Sequence, residues 1–302
     1  MKVAITGSSG FVGQNLQKYL SFGHHTDLKL ISRSVLENVS ISALEDIDVV
    51  VHLAGKAHDL KSVSDPEEYY RVNFELTKHL FDAFLKSKAS KFIFISSVKA
   101  AADIVENVLL EEDKAVPETH YGKSKLLAEE YILSQSLPEG KSIYILRPCM
   151  IHGPGNKGNL NLLYSFVKKG IPYPLAAFEN KRSFLSVENL CFVITEIIDR
   201  ADINGGIYNV SDDMPLSTNE VVSCLSDASG KKAKLWALPK GLLIFLSRIG
   251  DRLKLPLNSE RLSKLTENYI VSNSKLKLAL HKELPLSSRQ GIMNTAKSFS
   301  EQ

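Results

Sequence analysis

A tyrosine and a lysine four residues apart give this chain its clearest candidate for acid–base chemistry. Tyr121 and Lys125 stand in the segment YGKSK, and on a helix this spacing puts both side chains on one face. A nearby ammonium favours the phenolate, so we expect the pKa of Tyr121 to fall below the ~10 of a free tyrosine. A tyrosine shifted in this way can exchange protons near neutral pH.

A serine hydroxyl is expected to join this pair. Ser97 follows the apolar run FIFI, which predicts a strand, and it precedes Tyr121 by 24 residues. Because strand ends and helix starts meet at the carboxyl edge of a parallel sheet, Ser97 and Tyr121 are predicted to share one substrate oxygen. The catalytic candidates from the residues alone are therefore Ser97, Tyr121 and Lys125.

A glycine-rich turn at the start of the chain predicts a dinucleotide site. Gly7, Gly10 and Gly13 stand in TGSSGFVG, between the apolar run KVAI and an amphipathic segment. The first glycine permits a tight turn, the second lets the backbone approach a pyrophosphate, and the third lets the helix pack closely on the strand. The N–H groups at the helix start then face the phosphates. The predicted cofactor contacts of this turn are Gly7, Ser9, Gly10, Phe11, Val12 and Gly13.

The end of the second predicted strand bears on the choice of nucleotide. An acidic residue there binds the ribose 2′-hydroxyl of NAD in the usual dinucleotide scheme. This chain has Ser32 and Arg33 instead, and an arginine suits a 2′-phosphate. Ser32 and Arg33 therefore favour NADP, with NAD kept as the alternative.

Alternating short apolar runs and longer amphipathic segments must position these residues. The runs are apolar throughout, which is typical of parallel strands covered by helices on both faces. The fold class predicted is α/β, a doubly wound parallel sheet (Rossmann fold) with a smaller C-terminal α/β substrate cap. Strands are predicted at 2–5, 28–31, 48–53, 91–95 and 142–146, and long helices at 11–20, 66–87 and 121–136.

After Pro148 the pattern changes to glycine- and proline-rich segments between shorter elements. We assign residues 1–155, with 184–207 returning to them, to the dinucleotide-binding domain. Residues 156–183 and 208–302 are assigned to the cap.

Composition excludes some classes of protein. The chain has 302 residues and a net charge of +3, which is too mild and too evenly spread for a dedicated nucleic-acid binder. Three cysteines without metal-ligand spacing predict no metal site and a reducing, cytoplasmic location. No apolar run is long enough for a transmembrane segment, and the run Leu242–Leu246 predicts a helix face.

Taken together, these segments resemble the extended short-chain dehydrogenase/reductases, in particular the NAD(P)-dependent nucleotide-sugar epimerase/dehydratase family. The resemblance covers nearly the whole chain. The matching segments are TGSSGFVG, DVVVHLAG, YYRVNFELTKHL, FIFISSV, YGKSK, LRPCMIHGPG, KRSFLSVENL and YNVSDD.

The resemblance implies a role for several further residues. Tyr121 would be the acid/base, and Lys125 would also bind the nicotinamide ribose. Asn73, in VNFELT, would support both the catalytic site and the cofactor. Leu53, Ala54 and Gly55 would line the adenine–ribose side, and Pro148 would lead into the loop beside the nicotinamide. His52 is expected to pack rather than to act in the chemistry.

The resemblance also implies a nucleotide-sugar substrate, UDP-linked or lipid-linked, and a homodimer formed through the helices around 66–87 and 121–136. The substrate-binding residues that it implies are Ser97, Lys99, Asn159, Arg182 and Arg261, with Arg182 pairing with the diphosphate.

Departures from the family pattern reduce the number of candidate reactions. The dehydratases follow the catalytic hydroxyl residue with an Asp-Glu pair, whereas this chain has Val98 and Lys99, so a 4,6-dehydratase is not expected. Two reactions stay open. The family favours a 4-epimerase, which returns its hydride to the sugar, and Arg33 favours a 4-keto-6-deoxy-sugar reductase that consumes NADPH. A non-catalytic NADP(H) sensor on the same fold is a third interpretation, against which the presence of both Tyr121 and Lys125 argues.

Overall fold

The computed structural model describes residues 1–22, 26–56, 65–156, 159–253 and 258–300. In chain order, the first half contains β1 (Lys2–Thr6), α1 (Phe11–Ser21), β2 (Asp27–Ile31), α2 (Arg33–Glu37), a 3₁₀ turn (Ile41–Leu44), β3 (Val49–His52), α3 (Pro66–Tyr70), a π turn (Arg71–Glu75), α4 (Leu76–Lys86), β4 (Lys91–Ile95), a 3₁₀ turn (Val98–Ala100), β5 (Val108–Leu109) and α5 (His120–Ser134). The second half contains β6 (Ser142–Pro148), β7 (Met150–His152), α6 (Asn159–Lys168), β8 (Phe184–Ser186), α7 (Val187–Asp199), β9 (Gly206–Val210), α8 (Thr218–Ala228), α9 (Lys240–Leu253), α10 (Ser259–Thr266), β10 (Ile270–Val271), α11 (Ser274–Leu280) and α12 (Ser288–Ser300).

A six-stranded parallel sheet with the strand order β2-β1-β3-β4-β6-β9 forms the centre of the molecule. Buried apolar residues cover both of its faces, one cluster including Val3, Ile5 and Val51 and the other including Ala4, Val50 and Phe92. The predicted doubly wound α/β fold is therefore confirmed. Because β1 leads to β2 on one side and the chain then returns to β3 on the other, the crevice for a ligand opens at the carboxyl ends of β1 and β3.

The helix predicted over residues 66–87 is observed with one irregularity. Asp65 caps its start by accepting a hydrogen bond from the Glu67 N–H at 3.1 Å, and Pro66 occupies the first turn, where its missing N–H costs nothing. The π turn Arg71–Glu75 separates α3 from α4. Such single turns inside helices are frequent at functional sites, and this one contains Asn73.

A third buried apolar cluster lies mainly in the part of the chain assigned to the cap. It joins residues of α6, α8 and α12, among them Tyr164, Leu225 and Ile292. Strands β7 and β8 pair with each other outside the central sheet, whereas α7 returns to pack against α1. The predicted boundary between residues 207 and 208 falls inside β9, because this strand continues in the central sheet to Val210.

None of the helices in the described part of the chain combines the length and the apolar character that a membrane crossing needs.

Candidate functional site

The glycine turn has the geometry that a pyrophosphate site needs. Gly7 has a φ of +68°, and a Cβ there would lie 2.7 Å from the Ala54 nitrogen, so only glycine fits between β1 and the chain after β3. A Cβ on Gly13 would overlap the carbonyl oxygen of Gly7. Gly10 caps α1 without a side chain, which leaves the first N–H groups of this 11-residue helix directed at the crevice. These observations fit a bound dinucleotide.

The other predicted contacts of the turn lie in the same place. Phe11 and Val12 form the half-buried first residues of α1, and Ser9 is exposed immediately before them. Leu53, Ala54 and Gly55 directly follow β3, at the edge of the same crevice.

Ser32 and Arg33 lie beside this turn, because Ile31, the last residue of β2, pairs with Thr6 of β1. Ser32 caps the short helix α2 by accepting the Val35 N–H at 3.4 Å. The exposed guanidinium of Arg33 lies 3.6 Å from the carboxylate of Glu37. Exposed ion pairs of this kind contribute little free energy, so a phosphate could displace Glu37 at small cost.

A chain of buried hydrogen bonds connects the two strand ends of the crevice to the π turn. The Ala54 N–H donates to Thr6 Oγ1 at 3.1 Å, Thr6 Oγ1 lies 2.7 Å from His52 Nδ1, and His52 Nε2 lies 2.9 Å from Thr77 Oγ1. Thr77 donates its proton to the Asn73 carbonyl at 2.8 Å. Since Thr77 has only this proton, it accepts from His52 Nε2–H. Burial disfavours the imidazolium, so His52 is neutral, and Thr6 then donates to its Nδ1.

The buried position of His52 predicts a pH-dependent stability. Burial, followed by the ammonium of Lys125, lowers the pKa of His52 to about 3. Between this value and the ~6.5 of an unfolded chain, only the unfolded state binds the proton, so the contribution of His52 is complete above pH ~6.5 and falls as the pH decreases. We expect the free energy of unfolding to lose about 1.4 kcal/mol per pH unit in this window from His52 alone. Urea unfolding of the wild type and of His52→Gln at several pH values measures this difference in slope, and equal slopes would contradict it.

Asn73 is fully buried and holds the loop after β3 against α5. Its Oδ1 accepts the Lys56 N–H at 2.7 Å, and its Nδ2 donates to the Lys56 carbonyl at 3.1 Å and to Ser124 Oγ at 3.0 Å. Ser124 in turn donates to the Tyr121 carbonyl at 2.8 Å. Both amide protons of Asn73 are thus engaged, and its side chain connects the loop after β3 with Ser124 in the first turns of α5.

Ser97 and Tyr121 are brought together as the sequence predicts. Tyr121 lies in the first turn of α5, which Thr119 caps by accepting the Gly122 N–H at 3.2 Å. The side chains of Ser97 and Tyr121 are hydrogen-bonded. Tyr69 of α3 packs edge-on against the Tyr121 ring, with 6.2 Å between the ring centroids. Together, these contacts place the Tyr121 hydroxyl at the carboxyl edge of β4, where a substrate oxygen can reach both hydroxyl groups.

The expected effect of Lys125 on Tyr121 is not what the structure shows. Burial raises the pKa of Tyr121, the hydrogen bond from Ser97 lowers it, and Tyr69 raises it. The Lys125 ammonium donates instead to the Ile95 carbonyl at 2.9 Å and lies 4.8 Å from the centroid of the Phe94 ring. Burial also lowers the pKa of Lys125 itself to about 8. The i,i+4 spacing placed both residues on one helix face but did not fix the direction of the lysine head group.

Lys99 is held by the nearby Asp103 and by Tyr269, which is distant in the chain. Its ammonium donates to the Asp103 carbonyl at 2.8 Å and lies 4.4 Å from the centroid of the Tyr269 ring. The Asp103 carboxylate accepts the N–H groups of Glu118 and Thr119, at 2.7 and 3.0 Å, immediately before α5. Through Asp103, Lys99 therefore helps to place the start of α5. Its predicted contact with substrate stays a prediction.

Arg182 lies near the end of β6. Its backbone exchanges two 2.9 Å hydrogen bonds with Leu216, and burial lowers the pKa of its guanidinium. Burial raises the pKa of the Cys149 thiol, and the positive charge of the Arg182 guanidinium lowers it in part. Cys149 directly follows Pro148, the buried last residue of β6. Arg182 therefore lies near the end of β6 that carries Pro148, and its role in binding a diphosphate stays a prediction.

The remaining predicted substrate contacts are placed only in part. Asn159 is the first residue of α6, and its side chain lies outside what the structure describes. Arg261 lies in the first turn of α10 with an exposed side chain, and its N–H donates to Asn258 Oδ1 at 2.8 Å.

Sequence reasoning missed a buried ion pair directly behind the catalytic candidates. Arg147 Nε and Nη2 donate to the Glu129 carboxylate, with a shortest distance of 2.5 Å, and Ser96 Oγ donates to the same carboxylate. Glu129 and Arg147 are 1% and 4% exposed, so this pair is formed in the core. The available signal was the spacing of Lys125 and Glu129, which places both on the same helix face.

The comparisons with known proteins agree with this geometry. The model of the NAD dependent epimerase/dehydratase family matches residues 3–211. The UDP-glucose 4-epimerase of Vibrio cholerae is 32% identical over 98% of this chain and 95% of its own length. The GDP-6-deoxy-D-mannose reductase of Pseudomonas aeruginosa is 28% identical over 75% of this chain and 79% of its own. Among solved structures, the UDP-glucuronic acid 4-epimerase of Bacillus cereus in complex with NAD has the same fold, with a TM-score of 0.75 at 21% identity over 100% of this chain and 99% of that one.

Proposed function

The chain belongs to the NAD-dependent epimerase/dehydratase family, and from this premise we propose that it is a 4-epimerase of a UDP-hexose or UDP-N-acetylhexosamine in surface-polysaccharide precursor synthesis. At the coarser level it is an NAD(P)-dependent enzyme of the nucleotide-sugar epimerase and reductase group. The hydrogen-bonded pair of Ser97 and Tyr121 beside the glycine turn carries the proposal. The absence of carboxylates at Val98 and Lys99 argues against dehydration.

The residues that would hold the cofactor lie along one crevice. The N–H groups at the start of α1 would bind the pyrophosphate, with Gly7 and Gly13 keeping side chains out of its way. Lys125, whose pKa of about 8 keeps it mostly charged at neutral pH, would bind the nicotinamide ribose. The bound cofactor would supply a reversible acceptor for the hydride of the sugar carbon.

Tyr121 and Ser97 would manage the proton at the sugar C4 oxygen. During oxidation, Tyr121 in its deprotonated form would take the hydroxyl proton while the hydride leaves C4 for the nicotinamide, which gives a 4-keto sugar. Because burial raises the pKa of Tyr121, this form would depend on the positive charge of the bound cofactor beside it. Ser97 donates a hydrogen bond to the same oxygen and keeps it in line with Tyr121. After the keto sugar has turned its other face, Tyr121 returns the proton and the C4 epimer forms.

The cap would hold the nucleotide diphosphate. Arg182 is half-buried, and its planar guanidinium suits two phosphate oxygens. The start of α6 at Asn159 and the exposed Arg261 are the further candidates for the same anion. A homodimer through α3–α4 and α5, and a cytoplasmic location, stay predictions.

A 4-keto-6-deoxy-sugar reductase is the second candidate. The observation that favours it is the exposed guanidinium of Arg33 beside the glycine turn, where a 2′-phosphate would lie. The similarity to a GDP-6-deoxy-D-mannose reductase also supports it. In this case the hydride passes once to the keto sugar, and Tyr121 supplies the proton to the new hydroxyl group.

One assay separates the two candidates. We expect nucleotide released from the purified protein by denaturation to be NAD⁺, and UDP-glucose or UDP-N-acetylglucosamine to isomerise at C4 without net formation of NADH, as followed by proton NMR. Oxidation of NADPH only with a 4-keto-6-deoxy nucleotide sugar would replace the epimerase by the reductase. No turnover of either substrate class would contradict both and leave the sensor interpretation.

A further inference from the structure

The helix α9 at the surface of the cap exposes a second apolar face. Its buried side consists of Leu243, Ser247 and Gly250, a narrow stripe that packs on the cap. Away from this stripe the helix exposes further apolar side chains, and Phe245 is 61% exposed. The exposed large apolar residues of the helix are Leu242, Ile244, Phe245, Leu246 and Leu253.

The spacing of these residues shows that they form one continuous apolar surface and are not isolated exposed side chains. Leu242, Leu246 and Leu253, together with the half-buried Ile249, recur every three or four residues and so share one side of the helix. Phe245 lies beside this row. The buried stripe lies about 100° away around the helix axis, so the outer row is directed mainly to the surface and not to the core of the cap.

Positive charge borders the apolar row. Arg248 and Arg252 are exposed on the flank of the row that faces away from the buried stripe. Residues 231–253 contain six Lys and Arg and one Asp, a net charge of +5, although the whole chain carries only +3. The rest of the chain is therefore net acidic, and the expectation of an evenly spread charge is wrong.

The segment that leads into α9 also combines exposed apolar side chains with positive charge. Trp236 is 58% exposed, and its backbone N–H donates to the Tyr173 carbonyl at 2.8 Å, which fixes this segment against the chain at Tyr173. Ile171 is also exposed. Lys231, Lys232 and Lys234 are exposed immediately before Trp236.

We propose that this surface, α9 together with residues 231–236, docks the enzyme on an anionic lipid bilayer. An amphipathic helix with Leu and Phe on one side and Arg or Lys at its border lies in the plane of a membrane interface, and the cations attract acidic headgroups. The surface is called the docking face below. The proposal does not depend on which sugar reaction the site performs.

A second copy of the chain fits the docking face less well. A symmetric contact would place the same surface of each copy against the other, so Arg248, Arg252 and the three lysines would meet their own equivalents. Protein interfaces are also depleted of lysine at their centres. Acidic headgroups provide the opposite charge, and acyl chains provide an apolar phase for Phe245 and Leu246.

Docking in this way would bring the sugar-binding side of the protein to the bilayer. Helix α9 packs against α10, the helix that carries Arg261, and Leu243 of α9 shares the apolar cluster of the cap with Leu262 of α10. The consequence is that a substrate whose diphosphate is attached to a lipid could reach the cap without leaving the membrane surface.

Vesicle sedimentation of the full chain tests the proposal. We expect the wild type to bind phosphatidylcholine vesicles that contain phosphatidylglycerol, to bind pure phosphatidylcholine vesicles about tenfold more weakly, and to be released by salt. Phe245→Ser combined with Leu246→Ser should weaken binding to the anionic vesicles at least about tenfold. The matched control is Leu110→Ser combined with Leu278→Ser, whose side chains are 42% and 72% exposed on other parts of the surface. It should bind as the wild type does.

A charge variant keeps the test decisive if the apolar variant does not fold. Arg248→Gln combined with Arg252→Gln should weaken binding about tenfold and reduce its salt dependence, while the exposed pair Lys86→Gln and Lys88→Gln should not. Turnover of a free UDP-sugar should stay unchanged in all these variants. Equal binding to neutral and anionic vesicles would overturn the proposal, as would equal losses in the controls. If a docking-face variant bound vesicles as the wild type does but had a different oligomeric state in sedimentation velocity, the surface would be a contact between copies of the chain instead.

Discussion

Replacing Tyr121 by phenylalanine should lower kcat by about 10³-fold while leaving KM within about threefold of the wild type. The variant loses the hydroxyl that hydrogen-bonds to Ser97 and would exchange the substrate proton, but it keeps the ring that packs edge-on against Tyr69. Binding of substrate and cofactor should therefore persist. The measurement is the initial rate of C4 isomerisation, together with a fluorescence titration of cofactor binding.

Tyr131 provides a matched control on the same helix. Its hydroxyl donates to Asp82 Oδ1 at 2.5 Å, so Tyr131→Phe also removes one hydroxyl and one hydrogen bond from α5. Because this hydroxyl is bound to a surface carboxylate of α4, the control should retain nearly full kcat. If both variants were equally active, Tyr121 would not be the acid/base.

The second large effect concerns stability, because Glu129→Gln should lower the free energy of unfolding by about 3–5 kcal/mol. Glutamine keeps the shape but removes the charge, and the guanidinium of Arg147 is then left buried without a counter-ion. Among the described residues, Arg147 Nη1 already has no hydrogen-bond partner, so no other group there is positioned to compensate. Urea unfolding followed by circular dichroism gives the value.

The neighbouring residue is the control for this substitution. Glu130 is exposed on the same helix, and Glu130→Gln should change the free energy of unfolding by less than about 0.5 kcal/mol. Replacing both members of the buried pair by methionine should recover much of the loss, since a well-packed apolar pair avoids the desolvation of two charges. A Glu129→Gln variant as stable as the Glu130→Gln variant would show that Arg147 is solvated in solution.

Local patterns in the sequence predicted the parts of the fold and of the site that local physics determines. The glycine spacing of TGSSGFVG placed the crevice because Gly7 and Gly13 each leave no room for a Cβ. The spacing of Tyr121 and Lys125 placed both on one face of α5, and apolar runs such as VVVH predicted buried parallel strands.

Contacts between distant parts of the chain could not be predicted in this way. Arg147 and Glu129 lie on different elements, and only the pairing of β4 with β6 and the packing of α5 bring them together. The direction of the Lys125 ammonium depends on the Ile95 carbonyl, which no pattern in YGKSK reveals. The role of Asn73 depends on a π turn, and helical periodicity alone predicts an uninterrupted helix at this place.

The π turn also restricts how this family member can change its length. Closing the turn to an ordinary helix would remove one residue between α3 and α4 and rotate one helix against the other by about 100°. Tyr69 would then leave the ring of Tyr121, or Asn73 would leave the backbone of Lys56. Between Asp65 and Lys86, the number of residues is therefore as much a part of the site as their identity.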